Sequence, residues 1–401
     1  MSPRVTSVAL GLIFILGCGS ENPNDTIPRT GKAPDLKRIG DVVIIEPPRT
    51  TVPQDYPKQD PRQFGALPPQ KTGRGAGEAG SPSAANNSLT DARRGFVTKA
   101  SQGQSAGKPA SEPPPNLFHL VRYTSPVGEL AAYLSPDPGD GQKHPAIIWI
   151  TGGDCNTVDE VWNEGPRDNE QTAAAYRKVG IVEMFPSLRG GNSNPGQHEG
   201  FFGEVDDVVA AAEFLAHQDY VDPQRIYLGG HSTGGTLVML VAESTDRFRA
   251  VFSFGPVDEV GGYPPEFLTF DTSNPKELEL RSPGRWLASV RCPLFVLEGT
   301  VQPCNQGSLH TMARESKNSL IHFLPVSGMT HFSILGPANE LIASKILGDE
   351  GPTTNIAFTE EELGSLSKNM NNSAVSPRAV PKRRSGIGDR APQRPTRRPM
   401  R

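Results

Sequence analysis

Residues 225–245 read RIYLGGHSTGGTLVMLVAEST. Ile226, Tyr227 and Leu228 form a short apolar strand, a glycine-rich turn follows, and the chain leaves with apolar residues at helical spacing. Inside the turn, Gly230-His231-Ser232-Thr233-Gly234 fits G-x-S-x-G. A strand before it and a helix after it are the context in which that pattern makes a nucleophile elbow. So sharp a turn forces its serine into strained backbone space, and the positions two residues to either side must do without side chains. Ser232 is expected to stand above a sheet, at the positive end of the next helix, as a nucleophile.

A serine hydroxyl attacks only with a base in hydrogen-bond reach and a further group orienting that base. In elbow enzymes the chain order is serine, acid, histidine. Of the eight histidines, His310, His322 and His331 lie well downstream of Ser232. His310 falls in an expected helix and His322 in an expected strand. His331 sits in the loop Gly328-Met-Thr-His331-Phe-Ser, just past the last strand and at the sheet end where catalytic groups collect, so it is the expected base. His231, beside the serine, reads as structural.

Around the elbow the sequence alternates strand and helix. Residues 117–123 and 128–134 read as a hairpin turning at Ser125-Pro126. Ala146 to Ile150 is an unbroken apolar run, as in a strand covered on both faces. Further strands are expected at 181–185, 250–254, 294–297 and 321–324, and helices at 168–179, 204–217, 309–317 and 338–347. The pattern gives an α/β fold: a mostly parallel eight-stranded sheet with helices on both faces. Residues 256–290, rich in proline and aromatics, interrupt the alternation as a small cap over the site.

Residues 117–348 resemble the α/β-hydrolase superfamily, most closely its dienelactone-hydrolase and prolyl-oligopeptidase-like branch. The resemblance rests on Thr151-Gly-Gly153, Pro186-Ser-Leu-Arg-Gly190, Gly230-His-Ser-Thr-Gly-Gly235 and Ser327-Gly-Met-Thr-His331. It implies an α/β-hydrolase fold, a Ser–His–acid triad, an oxyanion hole, and hydrolysis of an ester, thioester or amide. One position departs from the pattern. The acid of the family lies three residues after a glycine ending the seventh strand, and here Gln302 stands there. Two carboxylates can replace it: Glu298, at the end of the same strand, and Asp258, after the sixth. Having no acid at all is the third alternative. One oxyanion donor is expected from the Thr233 amide and the other from the loop of Gly152 and Gly153, through Asp154 or Cys155. Arg189 is read either as a clamp for a substrate carboxylate or as a partner of Glu204 or Asp206.

The flanks have a different composition. The 401 residues include 42 glycines and 39 prolines. Apolar residues gather between about 116 and 350, the stretch long enough for one large core. Net charge is −4, which carries no nucleic-acid signature. Residues 1–18 read as a secretory signal: Arg4 is the charge, Val8 to Leu16 the apolar run, and Ile15-Leu-Gly-Cys18 resembles a bacterial lipobox with Cys18 as the lipidated residue. Such a lipid anchors a protein to a membrane without threading it. Residues 19–115 read as a disordered tether with one apolar island at 41–45, and 351–401 as a disordered tail ending in a basic stretch. Cys155 and Cys304 follow expected strands and are candidates to meet near the site mouth; Cys292 is the third thiol.

The sequence thus leads to an exported serine hydrolase of 116–350, acting on a small ester or short peptide, with no cofactor or metal implied. If no carboxylate reaches His331, the alternative is a non-catalytic relative that binds a ligand in the same cleft.

Overall fold

The computed structural model describes residues 88–101 and 107–369, and a short antiparallel ladder of Lys37–Ile39 with Val42–Ile44. The ladder belongs to a unit spanning Met1–Ser83 and contains part of the apolar island; Ala84–Arg401 form the other unit. Cys18 and the basic stretch from 378 onward lie outside the described residues.

The second unit is built on eight strands: β1 (His119–Ser125), β2 (Gly128–Leu134), β3 (His144–Ile150), β4 (Val182–Pro186), β5 (Val221–His231), β6 (Val251–Phe254), β7 (Leu294–Gly299) and β8 (Ile321–Val326). Their order across the sheet is β8-β7-β6-β5-β3-β4-β2-β1. Only β2 runs against the others, pairing antiparallel with both β1 and β4. The chain first adds strands on one side of β3 and then, from β5 on, on the other, so the topological switch point falls between β3 and β5, where folds of this kind bind ligands at the strands' carboxyl ends.

Alternation along each strand explains the unbroken apolar runs. Ala146, Ile148 and Ile150 pack with Leu228, Val208, Leu215 and Val238 on one face. Ile147 and Trp149 pack with Tyr227, Phe252, Tyr176 and Ile342 on the other. A strand with helices on both faces has no polar side to show. Helices α1 (Leu89–Arg93), α3 (Glu204–Ala216) and α4 (Thr233–Ser244) cover the first face. The second is covered by α2 (Ala175–Lys178), α7 (Leu335–Leu347) and α8 (Glu360–Asn369). The segment after β6 is a cap of short helical turns with one brief helix, α5 (Pro275–Glu279), and α6 (Gln306–Glu315) flanks the β7–β8 edge.

Three expectations need correction. The folded unit starts before 116. Ser88 caps α1 by accepting from the Asp91 amide, Leu89 is fully buried, and Ala100 bridges to Phe270 in the cap. One fully buried leucine, with backbone and polar side-chain bonds such as those of Arg93 to Asp206 and of Thr98 and Lys99 to Glu277, orders this arm, too little apolar surface to register as periodicity. The fold also continues past 351. Thr359 and Glu362 exchange backbone and side-chain bonds as a capping box, and Leu363 and Leu366 of α8 are buried. Finally, the expected helix 168–179 is only a 3-10 turn, Arg167–Asn169, followed by α2. The Glu170 carboxylate captures the amides of Thr172 and Ala174, and Ala173 has φ +46°, so the helix cannot run through.

Candidate active site

β5 ends at His231 and α4 begins at Thr233, leaving Ser232 between them at φ +57°, ψ −115°. A non-glycine residue holds such a conformation only where its surroundings impose it. Here the Ser232 amide donates to the Phe254 carbonyl at 2.8 Å, and its own carbonyl accepts from Thr236 in the first turn of α4. The two motif glycines are required by close approach. A Cβ on Gly230 would lie 2.6 Å from the Gly234 carbonyl oxygen, and one on Gly234 2.3 Å from that of Ile150. The serine therefore stands at the carboxyl end of β5, beside β3 and over the amino end of α4.

His331 follows β8 in the loop expected of the base and is buried. Its Nδ1 lies 2.9 Å from Oε2 of Glu298, the penultimate residue of β7, which is buried beside it. The Glu298 carboxylate also accepts the Gly299 amide at 2.7 Å and the Asn305 amide at 3.1 Å, so it is held on three sides. Its aim at Nδ1 leaves Nε2 as the ring nitrogen available to a nucleophile. Asp258, the other candidate, points away: its carboxylate accepts from the Ser308 hydroxyl at 2.7 Å, and its carbonyl accepts from the Gly284 amide. Gln302 turns back on its own loop, with Oε1 3.3 Å from the Cys304 amide.

The loop after β3 lies over the elbow. A Cβ on Gly152 would sit 3.3 Å from Cβ of Ser232, and the Thr233 hydroxyl donates to the Gly153 carbonyl at 2.8 Å. Gly153 has φ +77°, and the Asp154 carboxylate accepts the Asn156 amide. Thr233 and Gly153 are thus brought together beside the nucleophile, with Asp154 following in the same loop. Asn156 binds the Arg189 carbonyl and the Glu204 carboxylate, tying this loop to the one after β4. Burial pushes the Cys155 thiol well above its ordinary pKa, with the charges of Asp154 and Glu204 adding to the effect. Cys155, Cys292 and Cys304 are all free, so the expected meeting of Cys155 with Cys304 does not occur.

Arg189 also differs from expectation. Its Nε and Nη2 grip both oxygens of Asp207 at 2.9 Å, and Nη1 reaches Glu199. On α3, Asp207 faces inward and is wholly buried, whereas Asp206 faces outward to Arg93. The fork is fully engaged, so the arginine braces the loop and does not present itself to a substrate.

Residues that sequence reading passed over complete the site. Asn305 holds Glu298 through its amide and the Gly255 carbonyl through its side chain. Gly255, at φ +59°, leaves the space in which acid and base meet. Tyr263 hydrogen-bonds Thr236 at 2.7 Å, one turn beyond the nucleophile, and packs between Phe201 and Phe267. None of these carries a local signal. Each is defined by what the fold brings beside it.

Fold and site together define a member of the α/β-hydrolase superfamily, with a serine at the elbow and a histidine paired to a glutamate. Comparison with known proteins gives the same class, and the matching stretch is that of the prolyl oligopeptidase family, over residues 174–279, which hold the elbow and most of the cap. Dipeptidyl peptidase 8 of Mus musculus is 29% identical over 161 residues, which are 38% of this chain and 18% of that protein. S-formylglutathione hydrolase of Rattus norvegicus is 27% identical over 150 residues, 32% of this chain and 51% of that protein. The chain therefore spans less than a fifth of the first and about half of the second. Among solved structures, a Mycobacterium tuberculosis puromycin-hydrolyzing peptidase superposes with a TM-score of 0.48 at 20% identity, covering 59% of this chain and 40% of that one.

Proposed function

We propose that the site cleaves a carboxylic ester or a short peptide or amide bond through an acyl-enzyme, and that a lipid on Cys18 holds the protein at the cell envelope. The observation that carries the first part is the 2.9 Å contact of Glu298 with His331, beside a serine held at φ +57°. The Ser232 oxygen bonds to the substrate carbonyl carbon while His331 Nε2 takes the hydroxyl proton. The oxygen that becomes negative is met by the Thr233 amide and an amide of the Gly153–Asp154 loop. As the tetrahedral centre collapses, the bond to the alcohol or amine breaks and the leaving group takes the proton from His331. Water, deprotonated by His331, then attacks the acyl carbon and frees Ser232. Glu298 stabilises the imidazolium formed in each half.

The family match and the dipeptidyl peptidase relative support a peptide substrate; the S-formylglutathione hydrolase relative supports an ester. The alternative of a non-catalytic binding protein rested on a missing acid, and the Glu298 carboxylate 2.9 Å from Nδ1 of His331 favours the catalytic reading. For the anchor, the support is the apolar run ending in Gly17-Cys18. No helix among the described residues is long and apolar enough to cross a membrane.

Labelling with a fluorophosphonate, beside turnover of nitrophenyl esters and dipeptide amides, tests the chemistry. Labelling should require Ser232 and fall in Glu298→Gln, and the better substrate names the bond. A folded protein that neither labels nor turns over either substrate would sink the proposal. For the anchor, Cys18→Ala should release the protein from the membrane fraction and abolish incorporation of labelled palmitate; full retention would overturn it.

A further inference from the structure

His231 occupies the last position of β5, next to the nucleophile, and is 1% exposed. Its ring lies 4.4 Å, centroid to centroid, from the ring of His331. Nε2 is 3.1 Å from the main-chain oxygen of His331, and Nδ1 is 3.1 Å from Oε1 of Gln171, 60 residues away in sequence. Nε2 of that amide lies 2.7 Å from Oδ1 of Asn169.

These contacts fix where the protons are. A carbonyl oxygen only accepts, so Nε2 must carry a hydrogen. Burial first, and then the charge of His331, push the pKa of His231 well below its ordinary value, so the ring is neutral and Nδ1 is a bare acceptor. Gln171 must then turn its NH2 toward Nδ1 and its oxygen toward the NH2 of Asn169, an orientation set by the hydrogen-bond network. With the Gln171 and Asn169 amides both exchanged end for end in this way, the donors run from Asn169 to Gln171 to His231 to the His331 carbonyl. At the other end of the same residue, the His331 amide donates to the Pro303 carbonyl at 2.8 Å. The main chain of the base is gripped on both sides. The loop after β3 closes on the ring as well, since a Cβ on the neighbouring Gly152 would lie 2.9 Å from Nδ1.

We infer that His231 is a positioning residue of the base: its Nε2–H holds the His331 main chain so that Nδ1 of His331 stays on Glu298 and Nε2 stays free for the serine proton. The residue reads as mere packing in the sequence because its partner is a backbone atom 100 residues away. The role in turnover rests on the serine-hydrolase reading; the role in holding His331 does not.

The experiment compares wild-type protein with His231→Leu, which removes the donor, His231→Gln, whose NH2 reaches the place of Nε2, and Gln171→Leu, which removes the group that fixes the tautomer. The first readout is the downfield NMR resonance of the His331 Nδ1 proton, which needs no turnover. It should be sharp in wild type and His231→Gln, and broadened or lost in His231→Leu. The second is steady-state kinetics, where His231→Leu should lower kcat about ten- to a hundredfold with KM nearly unchanged, the loss expected when a catalytic group drifts by a fraction of an ångström to an ångström. His231→Gln should recover most of it, and Gln171→Leu should fall between. An Nδ1 resonance that responds to these changes in a protein with no activity supports the positioning role while refuting the hydrolase reading. An unchanged resonance and kcat in folded His231→Leu, or in folded Gln171→Leu should the first not fold, overturns the inference.

Discussion

Glu298 Oε2 and His331 Nδ1 stand 2.9 Å apart, although the loop position where related enzymes keep their acid holds Gln302. The carboxylate comes instead from within β7, and the longer side chain of glutamate spans the distance. This acid orients the base and offsets the positive charge that develops on it. Glu298→Gln keeps the shape and removes the charge, so kcat should fall roughly a thousand- to ten-thousandfold with little change in KM. Asp258→Asn, bound only to Ser308 and a cap amide, should leave kcat within about twofold of wild type, since it contributes no group to the transition state. Equal losses in both variants would show that the acid has been misassigned.

Gly255 gives a second route to the same pair. A Cβ there would lie 2.4 Å from Cε1 and 2.5 Å from Nδ1 of His331, and 2.6 Å from Oε2 of Glu298. The positive φ adds strain for any other residue. Gly255→Ala should therefore push acid and base apart and lower kcat at least about a hundredfold, as an ångström of misplacement does. Fluorophosphonate labelling rate, read on protein shown to be folded by circular dichroism, is the measurement. A folded variant that labels at the wild-type rate would contradict the geometry.

The parts of this site that could be read in the sequence are those whose signal is local. The elbow announces itself because strand, glycines and helix are contiguous, and His331 because one loop after the last strand held a histidine. The acid could be narrowed only to Glu298 or Asp258, since the choice turns on which side chain the folded β6–β7 edge aims at Nδ1. Arg189 shows the same limit: it pairs with Asp207 where Glu204 or Asp206 was expected, a difference of one position around α3. The arm from Ser88 escaped notice for another reason. Its order comes from Leu89 and from bonds to the cap, contacts distant in sequence. Helix α8, by contrast, had a readable capping box in Thr359-Glu-Glu-Glu362, hidden within a stretch otherwise poor in apolar residues.

Glu243 on α4 is buried with neither carboxyl oxygen hydrogen-bonded to the protein. Burial holds its pKa well above the ordinary 4.5. Below about pH 4.5 both folded and unfolded chains keep the proton. Above it the unfolded chain ionises first, binds fewer protons, and stability falls as pH rises toward the folded pKa. Glu243→Gln removes the titration, and Glu243→Met also removes the unpaired oxygens. Urea unfolding should show Glu243→Met more stable than wild type at pH 8 by about 1–3 kcal/mol, the cost of a buried unsatisfied polar group. The gain should shrink at pH 5. A gain independent of pH would mean that Glu243 does not titrate differently in the two states.

Arg281 is wholly buried where three segments meet. Nη1 binds the Glu277 carboxylate at 2.5 Å, Nε and Nη2 reach the Glu199 carbonyl at 2.9 and 2.8 Å, and Nη2 takes the Thr98 hydroxyl of the arm at 2.5 Å. The guanidinium also lies 4.2 Å from the centroid of Phe270. Arg281 thus links cap, β4–α3 loop and arm, beside the direct bonds of the Thr98 hydroxyl and Lys99 amide to Glu277. Arg281→Ala leaves the buried Glu277 carboxylate without its counter-charge, held only by the Thr98 hydroxyl and Lys99 amide, and should cost about 3–5 kcal/mol. Lysine offers no planar fork, so Arg281→Lys should recover little of this. Replacing Arg281 and Glu277 together by Met and Leu should do less damage than Arg281→Ala alone, because no charge is left unpaired. Denaturant midpoints of the three variants measure this order, and limited proteolysis locates the loosening. Cleavage in Arg281→Ala should appear first in the cap and in residues 88–101. First cleavage elsewhere, with those segments intact, would show that Arg281 does not fasten them.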